Sequence, residues 1–203
     1  MLELPFLKGL LFGFLLAATV GPMWVLCFRR SLERGALAGF VSGMGIAVAD
    51  GLYGAVAAFG LTAVSGFLLQ HGFWIGLVGG AFLLYLGART LFSRPASIPS
   101  NADTAGLAQG FVSTLSLTLA NPPTILAFAA IFAGLGLVAS DYRDAALVVL
   151  GVFLGSASWW VLLAAGAGWL RGRLGPTLFR AINVTSGLTI LGFAGWQLGA
   201  ILR

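Results

Sequence analysis

One acidic side chain, Asp50, lies near the middle of an apolar stretch that is long enough to cross a bilayer, GALAGFVSGMGIAVADGLYGAVAAFG (residues 35–60). On a helix, at about 100° per residue, Gly39 and Gly43 fall within about 20° of Asp50, and Gly54 follows one turn later. This face of small residues predicts close packing against other helices. A charge at the centre of a spanning helix costs roughly 2.5 to 3.5 kcal/mol, so we interpret Asp50 as a functional residue. A hydrogen bond that only serves packing is the alternative interpretation.

Proline interrupts two other apolar segments, at Gly21-Pro22 and at Asn121-Pro122-Pro123. Proline has no amide hydrogen, so each break frees carbonyl oxygens about one turn earlier, which are those of Ala18, Thr118 and Leu119. These oxygens can receive a cation. Proline also favours the first turn of a helix, so Pro22 and Pro122 are predicted to begin half-helices whose free amides attract a carboxylate. A packing kink in a bent helix is the alternative.

An α-amino acid carries both of the groups that these features attract. We expect its carboxylate at the half-helix termini and its ammonium group at Asp50, which is also the candidate to exchange a coupling proton. Thr118 and Asn121 are predicted to add neutral hydrogen bonds. Tyr53, almost one turn from Asp50, is a weaker candidate, because a tyrosine at such a position belongs more often to the core than to a site.

Composition bounds the class of protein. The chain has 203 residues, of which 59% are hydrophobic and 8% charged, against about 25% charged residues in soluble domains. This predicts an all-α polytopic membrane protein embedded in the lipid bilayer. The single Cys27 and the single His71 argue against a disulfide, a thiol redox motif or a metal site, and no cofactor is predicted. The net charge of +5 comes from residues dispersed between apolar segments, which argues against nucleic-acid binding.

Six apolar segments are predicted to cross the membrane. They cover about residues 4–28, 35–61, 73–92, 107–139, 145–170 and 181–202. Lys8 and the small residues Ala17 and Ala18 weakly imitate a signal peptide, but the apolar run continues beyond them, which favours a retained helix. The polar stretch SRPASIPSNADT (93–104) is predicted to be a loop that joins two halves of one transport domain, 1–92 and 106–203.

The two halves share features in the same order. Gly21-Pro22 matches Asn121-Pro122, the pair Gly39 and Gly43 matches Gly151 and Gly155, and IGLVGGAFLLYLGARTL matches INVTSGLTILGFAGWQL. Three crossings per half predict two inverted repeats, an arrangement typical of secondary transporters with a site at broken helices.

The arginines predict the orientation in the membrane. Eight of the eleven basic residues follow the first, third and fifth segments: Arg29, Arg30, Arg34, Arg89, Arg94, Arg171, Arg173 and Arg180. By the positive-inside rule these connections are cytoplasmic turns, and both termini are periplasmic.

Several motifs resemble the LysE/RhtB family of amino-acid exporters. They are the Gly21-Pro22 break and the runs RRSLERG, AGFVSGMGIAVADGLY, GGAFLLYLGARTL and ANPPTILAFAAIFA. The resemblance spans nearly the whole chain and implies a bacterial inner-membrane exporter of amino acids or related small metabolites, driven by an ion gradient that is commonly one of protons. Val20 and Pro123 depart from the family pattern, in which many members have proline and lysine there, so the resemblance does not carry over a substrate.

Two other functions compete with amino-acid export. A divalent-cation exporter of the same superfamily normally needs several intramembrane carboxylates or histidines, and this sequence offers one. A non-transporting membrane scaffold would need neither the buried acid nor the two matching breaks. An enzyme is disfavoured, because no nucleophile, base and orienting group occur together. The sequence indicates neither the substrate nor the oligomeric state.

Overall fold

The computed structural model describes residues 3–59, 70–92, 104–121, 124, 128, 142–171, 173 and 175–201. Within these ranges the chain forms seven helices and no strand, which confirms the prediction of an all-helical fold there. The helices are α1 (Glu3–Ala18), α2 (Pro22–Arg34), α3 (Ala36–Ala58), α4 (Gly72–Leu91), α5 (Thr104–Leu119), α6 (Tyr142–Arg171) and α7 (Pro176–Ile201).

Three of these helices are long and apolar enough to cross a membrane: α3, α4 from Phe73 onward, and α6. The pair α1 and α2 passes the same test when it is taken together, as a broken span or a re-entrant loop with a bend of 75°. The described residues therefore hold three or four candidate spans, which is the part of the six-span prediction that they support.

The predicted break in the first segment is confirmed. Helix α1 ends at Ala18, and Pro22 begins α2 after Gly21, whose backbone is extended with φ of −156°. Proline suits this position because the first amides of a helix have no partner inside the helix, so the missing N–H group costs nothing.

The predicted turn at Arg29, Arg30 and Arg34 is wrong. All three arginines lie on α2, which continues to Arg34 because no residue between Pro22 and Gly35 breaks a helix. The chain reverses at Gly35 alone, whose φ of 94° lies in the region that only glycine adopts without strain. The arginines therefore lie on a helical surface, and Arg29 and Arg30 bond to neighbouring helices.

Two smaller boundaries also differ from the prediction. Pro176, expected in a turn, is the first residue of α7, for the same reason as Pro22. Arg143 and Asp144, which fall between the predicted fourth and fifth segments, lie in the first turn of α6, where an acidic side chain complements the helix dipole. Of the predicted connecting loop, residues 93–103 lie outside the described part of the chain.

Helices α1 and α6 cross at two pairs of glycines. A methyl group at Gly9 or Gly13 would overlap the backbone of α6 at Val148 and Val152, and one at Gly151 or Gly155 would overlap the backbone of α1. Such small residues, four apart on both helices, allow two backbones to approach closely, which drives helix association in lipid.

Helix α3 lies at the centre of the bundle and packs against α2, α5 and α6, while α4 packs against α7. The glycine face predicted around Asp50 makes these contacts: Gly43 lies against Trp160 of α6, Gly39 against Ser31 of α2, and Gly54 against Val152 of α6. The prediction that this face packs against other helices is confirmed, and the packing places Asp50 inside the protein.

Candidate functional site

A cavity of about 280 Å³ lies at the break between α1 and α2. It is lined by five of the residues singled out from the sequence, which come from the start of α2, the middle of α3 and the end of α5: Gly21, Pro22, Asp50, Thr118 and Asn121. We call it the central cavity. Its remaining wall includes Ile46 of α3, Trp160 of α6 and Phe193 of α7. Pro122 and Pro123, the other two predicted members of the break, lie outside the described residues.

Asp50 is 2% exposed, and its carboxyl group links α3 to α6. The Ser156 hydroxyl donates a hydrogen bond of 2.7 Å to Asp50 Oδ2, and Trp160 Nε1 donates one of 3.2 Å to the Ser156 oxygen. A carboxylate can accept about four hydrogen bonds, so this arrangement leaves acceptor capacity for a ligand. Asp50 therefore has a neutral donor that fixes its orientation and a face on the cavity.

Ser156 was missed by the sequence reasoning. It is a polar residue on an apolar helix, next to Gly155 and four residues before Trp160. A small polar side chain beside a glycine of a helix crossing is a signal of an interhelical hydrogen bond. The sequence does not show that its partner would be Asp50.

The amino-terminal end of α2 faces the central cavity. Met23 and Trp24, in its first turn, line the cavity next to Pro22. The first amides of a helix have no partner inside the helix and carry the positive end of its dipole. This end of the cavity is therefore suited to a carboxylate, and the binding of a substrate carboxylate there stays a prediction.

Two polar side-chain atoms on the cavity wall have no hydrogen-bond partner among the described residues. Thr118, which is 2% exposed, has no hydrogen bond to its Oγ1 within the described residues, and the same holds for Asn121 Oδ1. Asn121 Nδ2 does donate a hydrogen bond of 2.8 Å to Thr124 Oγ1. A buried polar atom without a partner costs about 1 to 3 kcal/mol. Both atoms border a cavity, where a bound molecule can provide the missing partner.

The freed carbonyls differ from one another. The Ala18 oxygen accepts no hydrogen bond from any described residue, but the Thr118 oxygen accepts one of 3.1 Å from the Asn121 amide. The Leu119 oxygen accepts one of 2.7 Å from the Tyr53 hydroxyl. Two of the three carbonyls thus already have a donor from the protein.

Tyr53 does not line the central cavity. It is 4% exposed, and its ring lies 5.6 Å from that of Phe128. Through its bond to Leu119 it attaches the end of α5 to α3. The structure therefore places Tyr53 in the core as a support for the break after α5.

A second cavity, of about 580 Å³, lies between α2, α4 and α5. Its charged lining consists of Arg29, Arg30, Glu33, Arg34 and Arg89, and we call it the arginine vestibule. Arg29 donates to Asn183 Oδ1 (3.1 Å) and Thr90 Oγ1 (2.6 Å) and forms an ion pair with Glu33 at 2.7 Å. The sequence assigned these arginines only to membrane orientation, so this cavity was not predicted.

No group of three or more His, Cys, Asp or Glu side chains within the described ranges is placed to hold a metal ion. Among the described residues, the charged groups that line the two cavities are the Asp50 carboxylate in the central cavity, and four guanidinium groups with the Glu33 carboxylate in the vestibule.

Comparison with known proteins assigns the family. Residues 14–198 match the family described as LysE type translocator. The chain belongs to the LysE type translocator family. It is therefore a membrane transport protein by family, and the resemblance drawn from its motifs is confirmed. No solved structure gave a significant match to the chain.

Two curated relatives cover nearly the whole of this LysE type translocator. A Bacillus subtilis protein described as a candidate amino acid efflux protein, YcgF, is 28% identical over 199 residues, covering 93% of this chain and 92% of the relative. The Pseudomonas aeruginosa chemotactic transduction protein ChpE is 30% identical over 200 residues, covering 95% of this chain and 97% of the relative. The two names describe different roles at similar identity.

Proposed function

We propose that this translocator exports amino acids or related small metabolites across the bacterial inner membrane as a secondary transporter coupled to the proton gradient. The observation that carries the proposal is the central cavity. It combines one buried carboxylate, one half-helix amino terminus and two unpaired neutral polar atoms within about 280 Å³. The name of the Bacillus relative supports the same class of substrate.

The cavity matches both charged groups of an α-amino acid. The substrate ammonium group binds the Asp50 carboxylate, in a charge-assisted hydrogen bond. The substrate carboxylate binds the first amides of α2, where the helix dipole is positive. Thr118 and Asn121 provide further hydrogen bonds that orient the molecule. Asp50 also exchanges a proton, and because one carboxylate cannot hold a proton and an ammonium group at once, proton and substrate compete for it.

Helix packing supports the proposed pair of inverted three-helix repeats. In that scheme α1 and α5 correspond to each other, as do α3 and α6, and α4 and α7. A two-fold relation then requires α1 to pack on α6 as α5 packs on α3, and both contacts are extensive. The corresponding helices α3 and α6 also pack on each other, as do α4 and α7. Inverted repeats of this kind place a site at broken helices near the midplane.

The proposed orientation has both termini in the periplasm and the connection between α6 and α7 in the cytoplasm. A cysteine introduced at Ser31, on the predicted cytoplasmic side, would be fully buried and would resist a thiol reagent from either side. Gly175, in the connection between α6 and α7, is exposed and is therefore the better position for a cytoplasmic probe. Native Cys27 is also fully buried and adds little background. We expect an impermeant maleimide applied outside cells to label Leu2→Cys and to miss Gly175→Cys. The opposite pattern would invert the topology.

The test of function is a metabolite-resolved efflux assay in cells with and without the protein. We expect one or a few amino acids to accumulate outside cells that express the wild type, and we expect this to depend on the proton gradient. Asp50→Asn is the matched inactive variant, because it retains an acceptor for Ser156. Unchanged external metabolites at equal membrane abundance would refute export.

The name of the Pseudomonas relative favours one other candidate, a membrane component of a signalling system that transports nothing. This candidate predicts no metabolite change in the efflux assay and an altered chemotactic response when the chain is deleted. A divalent-cation exporter, the third candidate, predicts that cell-associated metal content rises on deletion while external amino acids stay constant. The same pair of strains distinguishes all three.

A further inference from the structure

We propose that the arginine vestibule is a second binding site, which takes the carboxylate of an amino acid before the molecule reaches the central cavity. This inference rests on the proposed export function for its direction of travel. The vestibule would add a ligand site at residues to which the sequence assigned only membrane orientation.

The described lining of the vestibule has an excess of positive charge. Among the described residues, the charged lining of the vestibule consists of Arg29, Arg30, Arg34 and Arg89 and one acid, Glu33. Glu33 is paired with Arg29 at 2.7 Å. The other three arginines form no ion pair within the described part of the chain. Their positive charge is therefore available to an anion inside the vestibule.

Arg30 is held in place as a component of a site would be. Its guanidinium group donates to Ser42 Oγ on α3 at 3.1 Å, and to the Gly110 oxygen and Ser113 Oγ on α5 at 3.0 and 2.8 Å. A side chain at position 110 would interfere, since a Cβ there would lie 2.8 Å from Ser42 Oγ. All three acceptors are neutral, so they fix the guanidinium geometry without cancelling its charge.

Membrane orientation alone does not require this arrangement. The positive-inside rule needs basic residues near the ends of spanning segments, and lysine serves as well as arginine. Arg30 instead bonds to both α3 and α5 through its guanidinium group, whose planar shape suits a carboxylate. The hydrogen bonds thus fix the Arg30 side chain in a geometry that orientation in the membrane does not require.

The size and position of the vestibule fit a small carboxylate that moves to the central cavity. Small-molecule pockets range over about 300 to 1,000 Å³, and the vestibule measures about 580 Å³. Apolar side chains, including Leu26, Phe82 and Leu86, form part of its wall. Helix α2 borders both cavities, and Pro22 and Arg30 are eight residues apart, or about 12 Å along the axis.

The experiment is protection of the arginines from phenylglyoxal, read at each residue by peptide mass spectrometry. It uses the full-length protein in phosphatidylcholine nanodiscs, with each of the twenty amino acids added singly. Amino-acid amides, which keep the ammonium group and lack the carboxylate, are the matched ligands. Nanodiscs with phosphatidylglycerol test whether a lipid headgroup occupies the vestibule instead.

We expect at least one amino acid to protect Arg34 and Arg89, and its amide not to. Arg30→Lys keeps the charge and the topology but loses the planar guanidinium group, so it should raise the concentration needed for protection about tenfold, as expected for one charge-assisted bond. Arg173→Gln is the control, because Arg173 lies over the Trp169 ring and outside the vestibule. It should leave protection unchanged.

Protection by amides as well, protection only by phosphatidylglycerol, or no protection by any amino acid would each overturn the inference. Equal protection of Arg30→Lys and wild type at the same ligand concentrations would show that binding does not need the guanidinium group of Arg30. Export is measured separately in the efflux assay. Export without protection refutes the vestibule site alone, and protection without export refutes the proposed transport function alone.

Discussion

The central cavity and the arginine vestibule lie along the same helix, α2, and differ in how they treat charge. Among the described residues, the central cavity has one charged side chain, Asp50, which is 2% exposed and accepts a hydrogen bond from the neutral Ser156. The vestibule holds four arginines and one glutamate. The polarity of α2 agrees with both, because its positive amino-terminal end borders the cavity that holds Asp50 and its negative carboxy-terminal turn bears Arg34.

The difference shows how position in a membrane protein limits the charge of a site. A carboxylate away from water loses its hydration, and each buried charge therefore costs free energy. The central cavity accordingly has one carboxylate, and neutral hydroxyl and amide groups of the described residues supply the rest of its polarity. Several arginines are tolerated where solvent still reaches them, and Arg89 is exposed. The central cavity should therefore act through a few strong, unscreened contacts and the vestibule through weaker, screened ones.

Replacing the charge of the central cavity should have the largest effect. Asp50→Asn keeps the size of the side chain and an acceptor for Ser156 but removes the charge and the exchangeable proton. We expect near-normal membrane abundance and a loss of gradient-driven export of about 10- to 100-fold, since a hydrogen bond to a charged group contributes about 1.5 to 3 kcal/mol. The measurement is efflux from reconstituted vesicles under an imposed pH gradient at equal protein amounts.

Ser156→Ala is the control for that prediction, because it removes the donor and leaves the carboxylate. It should reduce export less than Asp50→Asn does. Wild-type rates from Asp50→Asn, with the same dependence on the gradient, would show that Asp50 serves helix packing only.

Thr118→Val tests the neutral part of the central cavity. The substitution has nearly the same shape and removes a hydroxyl that has no partner among the described residues. Stability should stay the same or rise, because no hydrogen bond is lost and a buried polar group is removed. The apparent KM for export should rise about fivefold, in line with the loss of one neutral hydrogen bond. A fall in the melting temperature would reveal a structural partner for Thr118.

Ionic strength should change the transport defects of variants in the vestibule and leave those of variants in the central cavity unchanged. Arg34→Gln should raise the internal KM about threefold at low salt, since Arg34 is half-buried and a charge that solvent reaches contributes about 0.2 to 1 kcal/mol. Raising internal salt to about 0.5 M shortens the screening length to a few ångströms and should abolish most of that difference. The defect of Asp50→Asn should persist at both salt concentrations. A salt-independent Arg34→Gln defect would place that arginine in a desolvated contact.

Tyr53→Phe should have the smallest effect on transport. It removes the hydrogen bond to the Leu119 carbonyl but keeps the ring against Phe128. We expect a loss of about 1 to 2 kcal/mol in stability, seen as a melting temperature lower by a few degrees, because one buried acceptor loses its donor. Export at equal abundance should change less than twofold. A larger change in KM would indicate that Tyr53 takes part in substrate binding.

The sequence was sufficient for local features whose cause is local. Asp50 in an apolar run, the glycines at helical spacing beside it and the proline break at Gly21-Pro22 each follow from side-chain chemistry and the helical period, and the structure confirms the break and the packed glycine face. The motif order was also enough to identify the family. The roles of Pro122 and Pro123 and the six-span inverted repeat stay predictions.

Tertiary structure decided which distant groups meet. The sequence did not indicate that Ser156 donates to Asp50, that Tyr53 bonds the Leu119 carbonyl, or that Arg30 spans α3 and α5. The arginine vestibule was not predicted, because charge near a segment end indicates only orientation in the membrane, whereas packing decides which way a long side chain points. Composition and helical period act over a few residues of chain. Cavities form between helices, so their polar contacts depend on how the helices cross.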